Sequence, residues 1–197
     1  MENRRMLKIT GKVHSSKKAF TLLEIILAMA IMVIVIPLVF GTFYLIQVSH
    51  AKVAILNDAK DYASLNSMAI NNLLTNSSAA RASGSVDASY VASLYADANG
   101  DVYIRHSGST TEVYDYPHYK LADGTQKWKL ELSFQVNALS KTVTYTIDVY
   151  DNSNPSATTP YYSLQSSVFL PNGNRNETEQ LESSTGTYIN FSNPVLP

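Results

Sequence analysis

Hydrophobic and polar positions divide this chain into three patterns. The first is an uninterrupted apolar run. From Ile25 to Ile46 there are 22 residues without a charge, and at about 1.5 Å per residue such a helix spans a hydrocarbon core of roughly 30 Å. The second pattern is helical. Between Ala51 and Leu74, apolar residues fall at Val53, Leu56, Ala59, Ala63, Ile70, Leu73 and Leu74, with Asn57, Asp58, Lys60, Asp61 and Asn71 opposite. This spacing predicts an amphipathic helix continuous with the run, about 50 residues in all, broken from Thr75-Asn76-Ser77-Ser78 and ended by Ala82-Ser83-Gly84-Ser85. The third pattern has period two. Trp128–Val136 and Thr142–Val149 alternate faultlessly, and Asn137–Lys141 between them has hairpin length.

Tyr162–Leu170 reads as a third strand, and Asp101–His106 and Glu112–Tyr116 as weaker ones separated by Ser107-Gly108-Ser109. The expected fold is α+β: a long N-terminal helix packed on one face of an antiparallel sheet. Its core would lie where the 53–74 stripe meets Trp128, Leu130, Leu132, Phe134, Val143, Tyr145, Ile147 and Val149. The expected organisation is a leader at 1–19, a membrane-spanning or filament-core helix at 20–48, its amphipathic continuation at 49–81 and a β head at 82–170. A polar tail, expected to be loosely attached, covers 171–197.

Charge adds an orientation to this picture. Residues 1–19 carry Arg4, Arg5, Lys8, Lys12, Lys17 and Lys18 against Glu2 alone, a balance of +5, while the whole chain is −1 and the rest therefore −6. A basic head before an apolar run orients a chain with its N-terminus in the cytoplasm. An acidic body is not the footprint of a nucleic-acid binder, so no direct nucleic-acid binding is expected. Cysteine is absent, which excludes disulfides and thiolate metal sites. A secretory signal peptide is the rival reading, but its apolar region is typically about 7–15 residues, shorter than this run. Pro37 and Gly41 lie inside the run, where they are expected to loosen or kink the helix.

One residue breaks the apolar logic. Glu24 follows Phe20, Leu22 and Leu23 into the greasy segment. An intramembrane carboxylate is costly and usually has a partner. The stretch KKAFTLLEIILAMAIMVIVIPL, residues 17–38, resembles the type IV prepilin signature: basic residues, a small residue, Phe-Thr-Leu-x-Glu and an apolar helix. The resemblance covers about residues 17–46. It implies cleavage by a prepilin peptidase between Ala19 and Phe20, N-methylation of Phe20, and pairing of Glu24 with the terminal amine of a neighbouring subunit during assembly. The family prefers Gly before the cut; this chain has Ala19. A buried ammonium and a buried carboxylate each offset the other's desolvation, so such a pair would set the register between subunits. The implied partners are the peptidase, other pilin subunits and the cytoplasmic membrane. The implied role is a minor pilin or pseudopilin of a pilus, secretion or competence filament, with no catalytic activity and no cofactor. The alternative is a single-span anchored adhesin or receptor that joins no filament.

Other candidate chemistry is thin. His14, His50, His106 and His118 share no ligand spacing. Asp97-Ala98-Asn99-Gly100-Asp101 begins like a calcium loop, but Val102 stands where glycine is needed and Gly108 where an acid is needed; a plain Asn-Gly turn is the expectation. Sequons at Asn76, Asn176 and Asn190 carry no weight on their own. Of 13 tyrosines, Tyr114, Tyr116, Tyr119, Tyr161 and Tyr162 cluster near Pro117 and Pro160; they are expected to flank the sheet and cover its core.

Overall fold

The computed structural model describes residues 21–106, 109–112, 116–154, 157–173 and 181–192. Ala19 and Phe20 lie outside them, as do Ser107, Gly108, His14 and Tyr114. The chain forms two compact units, one ending at His50 and one starting at Ala51. Helix α1 runs from Leu22 to Leu74, so its apolar part belongs to the first unit and its amphipathic part to the second.

In the first unit, α1 is unbroken across Pro37 and Gly41. Pro37 has no N–H to give the carbonyl four residues back. Further on, the Thr42 hydroxyl donates to the Val39 carbonyl at 2.8 Å. From Ile25 to Ile46 the apolar side chains are exposed, Val33 and Ile34 among them.

In the second unit, the rest of α1 is the spine of an α+β head. Nine strands follow: β1 (Ala79–Ser83), β2 (Ala92–Ala96), β3 (Val102–His106), β4 (Ser109–Glu112), β5 (Trp128–Asn137), β6 (Thr142–Asp151), β7 (Tyr162–Phe169), β8 (Ser184–Gly186) and β9 (Tyr188–Ser192). They make two antiparallel sheets instead of the one expected, in the orders β1-β9-β2-β3-β4 and β7-β6-β5-β8. The β5–β6 hairpin pairs Trp128 with Asp151 through to Asn137 with Thr142, and β5 alternates buried and solvent-facing positions as its sequence predicts.

The helix–sheet core forms where expected. Ala59, Tyr62, Ala63, Ile70, Leu73 and Leu74 are buried, as are Trp128, Leu130, Leu132, Phe134, Val143, Tyr145, Ile147 and Val149. The stripe differs at its start: Val53 and Leu56 are half-exposed, while Asn66 is buried and gives its amide N–H to the Tyr62 carbonyl at 2.9 Å. Two polar clamps tie helix to sheet. Asp58 accepts from Trp128 Nε1–H at 3.1 Å and also pairs with Lys127. The Tyr145 hydroxyl donates to Asn71 Oδ1 at 2.8 Å and lies 2.7 Å from Ser67 Oγ. Buried polar groups satisfied this way fix the rotation of the helix on the sheet.

Three boundaries depart from the sequence reading. The helix ends at Leu74, where Thr75 Oγ1 donates to the Asn71 carbonyl at 2.6 Å. Residues 79–83, expected within or ending the helix, are β1. Alanine favours helix, but Ala79, Ala80 and Ala82 gain more from burial beside β9. The strand expected at Glu112–Tyr116 is instead Ser109–Glu112; residues 113–115 lie outside the described residues, and Pro117–Tyr119 is a 3-10 turn. The largest correction concerns 171–197. Its Tyr188–Ser192 is β9, seated between β1 and β2, with Ile189 and Phe191 fully buried. This strand is covered on both faces, so the alternation that marks a half-exposed strand is lost. Its polar Asn190 is buried too, accepting from the Asp87 N–H at 3.0 Å and donating to Ser83 Oγ at 2.8 Å. Gly186 marks the approach of the two sheets: a Cβ there would sit 2.0 Å from the Ser83 carbonyl oxygen.

Candidate assembly site at the N-terminal helix

The first turn of α1 is built by four residues, Thr21-Leu22-Leu23-Glu24. Thr21 stands just before the helix and Glu24 three residues on. The Thr21 backbone N–H donates to Glu24 Oε2 at 2.9 Å, and the Thr21 hydroxyl donates to the same oxygen at 3.2 Å. In return the Glu24 N–H donates to Thr21 Oγ1 at 3.3 Å. This is a reciprocal capping box: two backbone donors that a helix start leaves orphaned are satisfied by two side chains. A carboxylate there also suits the positive end of the helix dipole.

The capping box supplies part of the answer to why a charge is tolerated at this point. Glu24 has a local partner before any second subunit arrives. Its signal was present in the sequence as the Thr-x-x-Glu spacing ahead of an apolar run, which the reading of Glu24 as a charge awaiting a mate does not use. A carboxylate offers about four acceptor positions. The described donors occupy only Oε2, and among the described residues no hydrogen bond reaches Oε1. Beyond Glu24 the helix is long and apolar enough to cross a membrane.

Among its described residues, the head presents no comparable concentration of chemistry. Among the described residues no group of three or more His, Asp or Glu side chains could hold a metal ion. Asp97–Asp101 forms a tight turn between β2 and β3: Asp97 Oδ1 accepts from the N–H groups of Asn99 and Asp101, each at 2.9 Å. Gly100 adopts φ +89°, and a Cβ there would meet the Leu130 nitrogen at 2.4 Å. The tyrosine cluster divides. Tyr119 is buried against Tyr62, ring centroids 4.8 Å apart, and Tyr116 meets Tyr62 edge-on at 6.0 Å. Burial, then the carboxylates of Asp58 and Asp61, raise the Tyr119 pKa above the usual phenol value. Tyr161 stays half-exposed beside Trp128. At the surface, hydrogen bonds from the Ser89 hydroxyl and backbone hold the Asp87 carboxyl below its ordinary range, with a smaller contribution from Arg81.

No curated protein and no solved structure matches the chain. A protein-family comparison does: residues 14–36 match the family described as "Prokaryotic N-terminal methylation motif". The match brackets the expected cleavage position, the capping box and the first turns of the apolar helix. The chain therefore carries a prepilin-type methylation motif, and that motif at the head of a long apolar helix, with antiparallel sheets beyond it, is consistent with a type IV pilin-like protein.

Proposed function

We propose that this protein is a non-catalytic structural subunit of a type IV filament system, a minor pilin or pseudopilin of a pilus, secretion or competence machine. The observation that carries the reading is the methylation motif at residues 14–36 leading directly into the apolar helix. The chain is inserted with its basic leader in the cytoplasm. A prepilin peptidase cuts between Ala19 and Phe20 and methylates the Phe20 amine. The subunit then leaves the membrane for a filament through its N-terminal helix, with Pro37 and Gly41 as the positions where that helix bends or loosens. The head lies outside the cytoplasm.

Glu24 has two duties in this reading. In the membrane its Oε2 caps the helix with Thr21. In the filament the free side of the carboxylate meets the terminal amine of a neighbour, and an offset between subunits would leave both ions unpaired in a low-dielectric setting.

The test is the N-terminal residue of membrane-extracted protein from cells that contain prepilin peptidase. A start at N-methyl-Phe20 is expected. An intact leader overturns the assignment and makes the chain an anchored adhesin or receptor. With processing established, Glu24→Gln is expected to lower incorporation into filaments tenfold or more at unchanged membrane levels, read by immunoblot of sheared filaments. Gln keeps a capping acceptor and loses only the charge, so undiminished incorporation would remove the ionic account and spare the capping one.

A further inference from the structure

The four strands at the ends of the two sheets are not protected alike. β1 carries Arg81, and the segment after Leu181 covers its outer side: Glu182 N–H donates to the Ala80 carbonyl at 3.3 Å, and Ala82 N–H to Ser184 Oγ at 2.9 Å. β8 has three residues and β4 has four. β7 has eight residues, Tyr-Ser-Leu-Gln-Ser-Ser-Val-Phe, with no charge and no proline. Its ladder to β6 is regular from Val149–Tyr162 to Thr142–Phe169. Proteins usually blunt an exposed edge with Lys, Pro, a bulge or brevity, because a bare edge templates another strand. Across Tyr162–Phe169, β7 has none of these devices.

The direction of its backbone groups follows from the ladder. Leu170 N–H donates to the Lys141 carbonyl at 2.8 Å, continuing the register in which the two residues oppose each other. Antiparallel strands alternate bonded and outward residues. Even-numbered residues of β7 thus face β6, and Ser163, Gln165, Ser167 and Phe169 turn their backbone N–H and C=O away from it. Among the described residues no hydrogen bond reaches those outward groups. The side chains of the same four residues are exposed, Phe169 at 58 %.

We propose that the free edge of β7 pairs with β7 of a second copy of this chain, antiparallel, about a two-fold axis at Ser166. That register sets Ser163 against the partner copy's Phe169 position and Gln165 against its Ser167 position. All four outward residues then meet outward residues and form roughly eight hydrogen bonds. On the core-facing side, Leu164 meets Val168 and Ser166 meets Ser166; on the other side no like charges meet. The strand is therefore complementary to itself, which is the requirement of a two-fold interface. A lone edge pairing is weak in solution. Confinement of two anchored copies to one membrane raises their effective concentration.

The absence of cysteine makes the register directly readable. In Ser166→Cys, the two thiols face each other across the axis, within disulfide reach. Under mild oxidation of membranes holding the full chain, a disulfide-linked homodimer is expected, with at least tenfold less from Thr110→Cys on the β4 edge. Adding Gln165→Lys and Ser167→Lys places lysine opposite lysine twice. Both sites are exposed, so folding is preserved, and the crosslink should fall at least tenfold. Co-expression with a Ser166→Cys copy bearing Gln165→Glu and Ser167→Glu should restore it as a heterodimer. No crosslink, a crosslink to a different protein, or a dimer that the lysines leave intact overturns the proposal. The readout depends on neither leader cleavage nor filament assembly, so it stands or falls apart from the functional reading above.

Discussion

The two parts of α1 have the same backbone conformation and opposite surroundings. In the first unit no side chain of the apolar run is buried; Leu22, Val33 and Phe40 are each 70 % exposed or more. From Ala59 onward the same helix buries one stripe and keeps Lys60, Asp61 and Asn72 in water. The lesson concerns solvent. The apolar run has no side that prefers protein over lipid, so its medium must be supplied from outside. The later stretch has one apolar stripe and obtains its medium from Trp128, Tyr145 and the rest of the sheet. Polar residues divide the same way. Glu24 is stabilised by the helix terminus itself, whereas Asp58, Ser67 and Asn71 are stabilised by partners far away in sequence.

Substitutions that act on one part alone test this contrast. The largest effect is expected from Trp128→Ala. It removes a fully buried ring and leaves Asp58 without its indole donor, at a cost of about 3–5 kcal/mol. Thermal unfolding of the head in detergent-solubilised full chain should shift down by roughly 10 °C, while membrane insertion is unchanged. Ile34→Arg should do the reverse. A guanidinium in mid-span disfavours insertion by about 2.5–3.5 kcal/mol, so the membrane fraction falls while the unfolding midpoint of the surviving inserted protein holds. A shift of that midpoint by more than a degree or two would show that the two parts are not energetically separate.

The smallest effect sharpens the comparison at the head's surface. The native Asp87 carboxyl sits below its ordinary pKa of 3.8. A group depressed in the folded state contributes stability above its unfolded pKa and loses it as pH falls through the folded value. The acid limb of the stability curve below about pH 4 should therefore be shallower in Asp87→Asn, because the carboxylate's small contribution is already missing near neutrality and is no longer lost on acidification. Since Asp87 is partly exposed to solvent, screening keeps the effect small. An unaltered acid limb would remove Asp87 from the list of groups that set it.

Much of the architecture was legible from pattern alone, for reasons that can be named. The apolar run, the β5–β6 hairpin and β7 each carry their own periodicity, since each has a clear apolar side or none that is polar. The elements that were not legible are those whose environment is two-sided or whose residues are small. β1 is mostly alanine, β2 has buried Ser93, and β9 holds buried Asn190 between Ile189 and Phe191. None announces a face. Legibility at the candidate site was uneven too: the Thr-x-x-Glu spacing was readable, and the direction in which Thr21 and Glu24 satisfy each other came from geometry.

By itself the sequence determined the elements whose driving force is local or uniform. These are a charge-free span, a cap at its start and strands with strict alternation, because periodicity and solvation act within a few residues. Tertiary structure alone decided that there are two sheets, that the C-terminal segment supplies a central strand, and which sheet edge is left bare. Those outcomes depend on pairings between residues as distant as Ala79 and Ser192, whose energy exists only once both strands are brought side by side.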